Sequence, residues 1–185
     1  YDPVIRLQGG VPVHIPLQAP QYRIDWGRIE AAITANTRLL ILNSPHNPTG
    51  MVMDEDDIAA LSALCAKNDI YLIGDEVYEH MVFDQAKHLS LCAYEDLYSR
   101  SFVISSFGKT YHVTGWKVGY CIAPPALTKE FRRVHQYVTF TVNTPVQLGI
   151  AEFLQHHPEH HQCLPSFYQA KRDLFCELLK GSRFT

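Results

Sequence analysis

Four short apolar runs constrain this chain more than anything else in it: Arg38-Leu39-Leu40-Ile41-Leu42-Asn43, Ile70-Tyr71-Leu72-Ile73-Gly74-Asp75, Ser101-Phe102-Val103-Ile104-Ser105-Ser106 and Lys117-Val118-Gly119-Tyr120-Cys121-Ile122. Each is near-continuously hydrophobic rather than alternating. That pattern predicts strands buried on both faces, as in a parallel sheet covered by helices. A weaker strand is expected from Val11 to Leu17, at a sheet edge, because Pro12 and Pro16 cannot donate to a ladder. Between the first two runs the spacing predicts a helix capped by Asp54, with Glu55, Asp56 and Asp57 at its positive end and Ile58, Leu61 and Cys65 on one face. Asn68 is expected to end it in the left-handed conformation that Asn tolerates. Further helices are expected from Asp25 to Ala35, with Ile29 and Ile33 inward, and from Ala126 to Tyr137. A Thr144-capped helix with Pro145 first is expected next, and then one from Pro165 to Lys180, stopped by Gly181. Strands alternating with helices make an α/β fold with a mostly parallel sheet.

The chain has 185 residues, 46% of them apolar and 19% charged, a composition that packs a core and excludes disorder. With 16 basic and 19 acidic residues and a net charge of -3, it offers no electrostatic case for nucleic acid or an anionic membrane. No apolar run approaches the roughly 18 residues of a membrane span. The start, Tyr1-Asp2-Pro3-Val4, has neither a basic leader nor a secretory core and does not begin with Met, so the chain is expected to be a piece of something longer. The cysteines, Cys65, Cys92, Cys121, Cys163 and Cys176, are odd in number and contain no C-x-x-C pair. A reducing, cytoplasmic setting is expected, without disulfides or structural zinc, and with Cys65 and Cys121 as small buried hydrophobes. His156-His157-Pro158-Glu159-His160-His161 contains two i,i+4 histidine pairs, but Pro158 separates the members of each, so a solvated helix-to-helix turn is expected.

In open α/β sheets, ligands sit outside the carboxyl ends of the strands. There the first run is followed by Asn43-Ser44-Pro45-His46-Asn47-Pro48-Thr49-Gly50, the second by Asp75-Glu76-Val77-Tyr78, and the third by Ser106-Phe107-Gly108-Lys109. An amide, a carboxylate with a phenol, and a hydroxyl with an amine thus gather at one end of neighbouring strands. That set suits a cofactor needing both an acid partner and a covalent amine.

These segments, in this order and continuing through Thr114-Gly115-Trp116-Lys117-Val118-Gly119, resemble the class I/II pyridoxal-phosphate-dependent aminotransferases, which have the aspartate-aminotransferase-like fold. Ser106 to Tyr120, and His135-Gln136-Tyr137 through Asn143-Thr144-Pro145, are most similar to the methionine and kynurenine aminotransferase branch. The resemblance implies a three-layer α/β/α large domain whose mostly parallel sheet has one antiparallel strand and is incomplete in this chain. Residues 1–160 would belong to that pyridoxal-phosphate-binding domain, and residues 161–185 would form a long helix leading toward a small domain. A phosphate-binding turn, an aromatic that stacks on the cofactor and the arginine for the substrate carboxylate would lie outside the chain, which alone is expected to be inactive.

The resemblance also implies roles. Lys109 would join the aldehyde of pyridoxal 5′-phosphate covalently and then shuttle the substrate proton in a ping-pong transamination. Asp75 would hold the ring nitrogen protonated, and Tyr78 and Asn47 would bind the ring oxygen. Ser106 and Lys117 would bind the phosphate, lysine standing where many members carry arginine. Gly115 and Gly119 would allow close backbone approach. Amino acids and 2-oxo acids are the implied substrates, methionine or aromatic amino acids the implied donors. A homodimer is implied, with Tyr137 to Asn143 reaching the partner's cofactor. The same residues would serve a β-lyase or related fold type I enzyme, and an aminotransferase-like domain can also act as the effector domain of a transcription regulator.

Overall fold

The structure is a computed structural model that describes residues 1–184; Thr185, the last residue of the helix-bearing 161–185 segment, lies outside the described residues. All four apolar runs form strands: β1 (Leu39–Asn43), β2 (Tyr71–Asp75), β3 (Ser101–Ser106) and β4 (Gly119–Ile122), in the order β1-β2-β3-β4. β1, β2 and β3 pair in parallel and β4 runs antiparallel to β3, so the sheet is mixed with one antiparallel strand, as expected. β4 starts at Gly119 rather than Lys117 because Lys117 takes a left-handed conformation, φ 56°.

The helices are α1 (Asp2–Leu7), α2 (Trp26–Ala32), α3 (Glu55–Lys67), α4 (Glu95–Tyr98), α5 (Phe107–Thr110), α6 (Pro125–Val138), α7 (Thr144–His156) and α8 (His160–Leu179). α3 begins as its sequence predicts. Asp54 accepts from the Asp57 N–H at 3.0 Å, Asp57 accepts from the Asp54 N–H at 3.1 Å, and Ile58, Leu61 and Cys65 are buried. Its end differs. Asn68 is extended, φ -130°, and its side-chain amide instead donates to the Leu64 carbonyl at 2.9 Å, so the cap is a side-chain bond and no left-handed residue is needed.

Four other expectations are corrected. Val11–Leu17 forms no strand: its two prolines leave too few donors, Val11 and Val13 are exposed, and only Ile15 leans on the core. The helix cap before α7 is Asn143, accepting from Val146 N–H, which makes Thr144 and Pro145 its first two residues. α8 starts at His160 and carries Pro165 inside it. The strands are well covered on one face and only partly on the other, where Ile41, Ile73 and Phe102 are half-buried. Leu42, Leu72 and Val103 join Ile58, Leu61, Leu64, Ile70 and Leu97 in the core, whereas Leu39, Tyr71, Ile104 and Ile122 are exposed. Continuous hydrophobicity signals two faces that require cover, and α3, α2 and α4 cover one of them within this chain. Cys65 is buried and Cys121 partly so; all five cysteines are free.

Candidate functional site

Strand parity decides which side chains share a face. Asn43 pairs with Asp75, Asp75 with Ile104, and Ser106 lies two residues beyond Ile104, so Asn43, Asp75 and Ser106 all belong to the less covered face, at the C-terminal ends of their strands. The loops that follow are stitched across these ends. The Asn43 amide donates to the Asp75 carbonyl at 2.9 Å, and its oxygen accepts the Asn47 N–H at 2.9 Å. The Asn47 amide in turn donates to the Tyr78 phenol oxygen at 3.3 Å. The Lys109 amine lies 5.9 Å from the centre of the Tyr78 ring. Amide, phenol and amine, from three different strand ends, are therefore neighbours.

Asp75 closes the turn after β2 by accepting the Val77 N–H at 3.3 Å, and its other oxygen receives the Tyr1 hydroxyl. Burial, then the carboxylate beside it, pushes the Tyr1 phenol well above its usual range, so Tyr1 stays a donor. Ser106 caps α5, accepting the Gly108 N–H at 3.0 Å, and its hydroxyl donates to the Val118 carbonyl at 3.3 Å. That bond sets Ser106 beside the left-handed turn of Lys117. The exposed Lys117 amine has no ion pair among the described residues, and no bond joins it to Lys109, Asp75 or Tyr78. Gly119 earns its residue type: a Cβ there would stand 2.6 Å from the Ser105 carbonyl. At Gly115 a Cβ would meet nothing within 4 Å of this chain, so no contact within the chain calls for glycine there.

Lys109, Tyr78 and Asn47 are thus brought together, Asp75 stands at the same strand end as Tyr78, three residues before it, and Ser106 with Lys117 forms a separate corner. Sequence reasoning overlooked three contributors. Tyr1 brings a hydroxyl onto Asp75, and no local pattern marks it. Glu79 accepts both the Ser105 and Tyr120 hydroxyls, each at 2.7 Å, fastening the Tyr78 loop to β3 and β4. His160 donates to the Thr110 carbonyl at 2.9 Å. The histidine tract containing it was visible, but its contact spans 50 residues of chain and leaves no periodic signal. The tract is the expected helix-to-helix turn, yet His160 and His161 are part-buried rather than solvated. Among the described residues no cluster suits a metal ion, and no helix is long and apolar enough to cross a membrane.

The sequence model of the family described as aminotransferase class I and II matches residues 1–185. Methionine aminotransferase of Escherichia coli is 50% identical over 183 residues, which is 99% of this chain and 47% of that protein. Human kynurenine–oxoglutarate transaminase 3 is 35% identical, over 98% of this chain and 44% of the relative. Among solved structures, an Escherichia coli protein identified as having a methionine aminotransferase function superposes with a TM-score of 0.96, over 99% of this chain and 48% of its own, at 50% identity. Aspartate aminotransferase from Thermus thermophilus with maleate superposes at 0.86 and 30% identity, over 97% of this chain and 47% of its own. The chain spans about half the length of the curated relatives it matches.

Proposed function

The chain belongs to the class I and II aminotransferase family, and we propose that it is the central, cofactor-binding portion of a pyridoxal-phosphate-dependent amino acid:2-oxo acid aminotransferase. One observation carries this reading: the Lys109 amine faces the Tyr78 ring at 5.9 Å while the Tyr78 hydroxyl meets the Asn47 amide at 3.3 Å, at the strand end that Asp75 closes. The donor set fits the cofactor. It offers an amine for an aldehyde, a carboxylate for a pyridinium, a phenol and an amide for a ring oxygen, and a hydroxyl with an ammonium for a phosphate. Pyridoxal 5′-phosphate supplies, when bound, an aldehyde for covalent attachment and a ring that accepts electrons.

The chain's own residues divide the remaining work. The Lys109 Nζ takes the proton from the substrate α-carbon and returns one, acting as base and then acid. The Asp75 carboxylate keeps the proton on the ring nitrogen, because a nearby anion favours the charged form of a basic nitrogen. Tyr78 OH and Asn47 Nδ2, already neighbours, would hold the ring oxygen by hydrogen bonds. Ser106 Oγ and Lys117 Nζ bind phosphate, lysine giving charge without the two-pronged geometry of arginine. Methionine or aromatic amino acids are proposed as donors, supported by the methionine and kynurenine relatives. Residues 1–160 are proposed to lie in the cofactor-binding domain and residues 161–185 to lead toward a second, smaller one. A cytoplasmic homodimer is proposed for the intact protein.

The test is the absorbance of the intact protein with cofactor. Wild type is expected to show the band of lysine-linked cofactor and Lys109→Ala to lack it; identical spectra would overturn the assignment.

A further inference from the structure

Lys109 rides on a helix of four residues, α5, too short to hold its own direction. Its orientation is set by what binds its two ends. At the front, Ser106 accepts from Gly108 N–H, and Phe107 N–H donates to the Val118 carbonyl at 3.2 Å. At the back, helix carbonyls lack partners within the helix and require donors from elsewhere. Phe107 O receives Tyr111 N–H at 2.9 Å, Gly108 O receives the Thr114 hydroxyl at 3.0 Å, and Lys109 O receives His112 N–H at 3.4 Å. These three donors lie within six residues and move with the helix. Thr110 O is different: its donor is His160 Nε2, at 2.9 Å, from the first residue of α8. A carbonyl only accepts, so the His160 ring carries its proton on Nε2.

The His160 ring is itself held. It stacks on Tyr111 at 5.3 Å and meets the edges of Phe153 at 5.4 Å and His112 at 5.9 Å. The adjoining His161 packs its ring at a tilt against His80, two residues beyond Tyr78, with centres 4.9 Å apart. Consecutive histidines at the start of α8 therefore touch the helix of the amine and the loop of the phenol.

From this juxtaposition we infer that His160 is a positioning residue, holding the Lys109 helix, and with it the amine, against the Tyr78 side of the site. The inference rests on the role proposed for Lys109. It is tested in the intact, cofactor-loaded protein with His160→Phe, which keeps a ring for Tyr111 but loses the donor, and with His160→Gln, which restores one. Displacing a reacting group by about 1 Å can cost up to about 100-fold, so His160→Phe is expected to lower kcat about tenfold with KM changed less than about twofold. It is also expected to move the pH midpoint of the lysine-linked cofactor band by about half a unit, with His160→Gln recovering most of both effects. His160→Phe that lowers only the melting temperature, with midpoint and kcat as in wild type, overturns the inference. If His160→Phe does not fold, His160→Asn, whose amide is too short to reach the carbonyl, stands in with the same expected and overturning results. A wild type without the lysine-linked band overturns this inference and the proposed function together. A band present in wild type, lost in Lys109→Ala and unmoved in the His160 variants overturns this inference alone.

Discussion

Glu79 receives two hydroxyls on one oxygen, and the consequence is visible in Tyr120. Burial, reinforced by the Glu79 carboxylate, pushes the Tyr120 phenol up from 10.0 to about 12. The folded protein holds that proton more tightly than the unfolded chain does. The stabilisation is therefore complete below pH 10.0 and lost as pH rises through about 12. Tyr120→Phe is expected to flatten this alkaline loss, read as the urea midpoint followed across that window. His80 carries the opposite sign. Burial lowers its pKa below 6.5, so folding favours the neutral ring, and the contribution present above pH 6.5 declines as pH falls toward the folded value. Asn43 makes a third residue-scale case. It needs a donor for Asp75 O and an acceptor for Asn47 N–H at once, which an amide supplies and a carboxylate does not.

Among the elements, α3 is the best specified by local chemistry and offers the sharpest stability tests. Asp54→Ala removes one capping bond and is expected to cost about 1 kcal/mol. Asp57 does more, because its buried carboxylate also receives Arg23 Nη2 at 2.6 Å and Trp26 Nε1 at 2.9 Å, tying the segment before α2 to the start of α3. Asp57→Ala removes the capping bond made by its side chain and leaves the Trp26 Nε1–H unpaired, Arg23 keeping its bonds to Asp54 and the Val52 carbonyl. It is expected to cost about 2 kcal/mol, since a buried polar group without a partner costs about 1–3 kcal/mol. Denaturant unfolding of both variants checks the order. α8 works as a brace more than as a core helix. Besides His160 and His161, its Arg172 grips Asp84, with one bond of 2.7 Å, and its Gln169 accepts the Asp84 N–H at 2.9 Å. Arg172 also lies 5.0 Å over the Phe83 ring.

Across the whole molecule, the second sheet face is only partly covered and the apolar sides of α6 and α8 are largely exposed. Val134, Tyr137 and Val138 at the end of α6, Phe140 just beyond it, and Leu174, Phe175 and Leu178 on α8 are all strongly exposed. Apolar area on this scale marks surfaces that something else covers. For the proposed dimer, the Val134–Phe140 stretch is the expected contact, and Val138→Glu in the intact protein is expected to shift light scattering from dimer toward monomer. A dimer unaffected by that charge would remove the stretch from the interface.

What the sequence determined alone was whatever short-range chemistry controls. The four strands, the α3 cap, the Gly181 stop and the polar sets at the strand ends were all legible, because each depends on neighbours within a turn or two. The polar sets could be found by their offsets from apolar runs, and the resemblance to the class I and II aminotransferases singled out Lys109, Asp75, Tyr78 and Asn47 within them. Tertiary structure alone decided that Tyr1 meets Asp75, that Glu79 locks the Tyr78 loop to β3 and β4, and that His160 completes the Lys109 helix. Those contacts join residues 26 to 74 positions apart, and only folding sets the distance between them. It also decided that Val11–Leu17 stays outside the sheet and that one sheet face is covered only in part within this chain, since pattern reports what a strand needs to bury and not which element arrives to bury it.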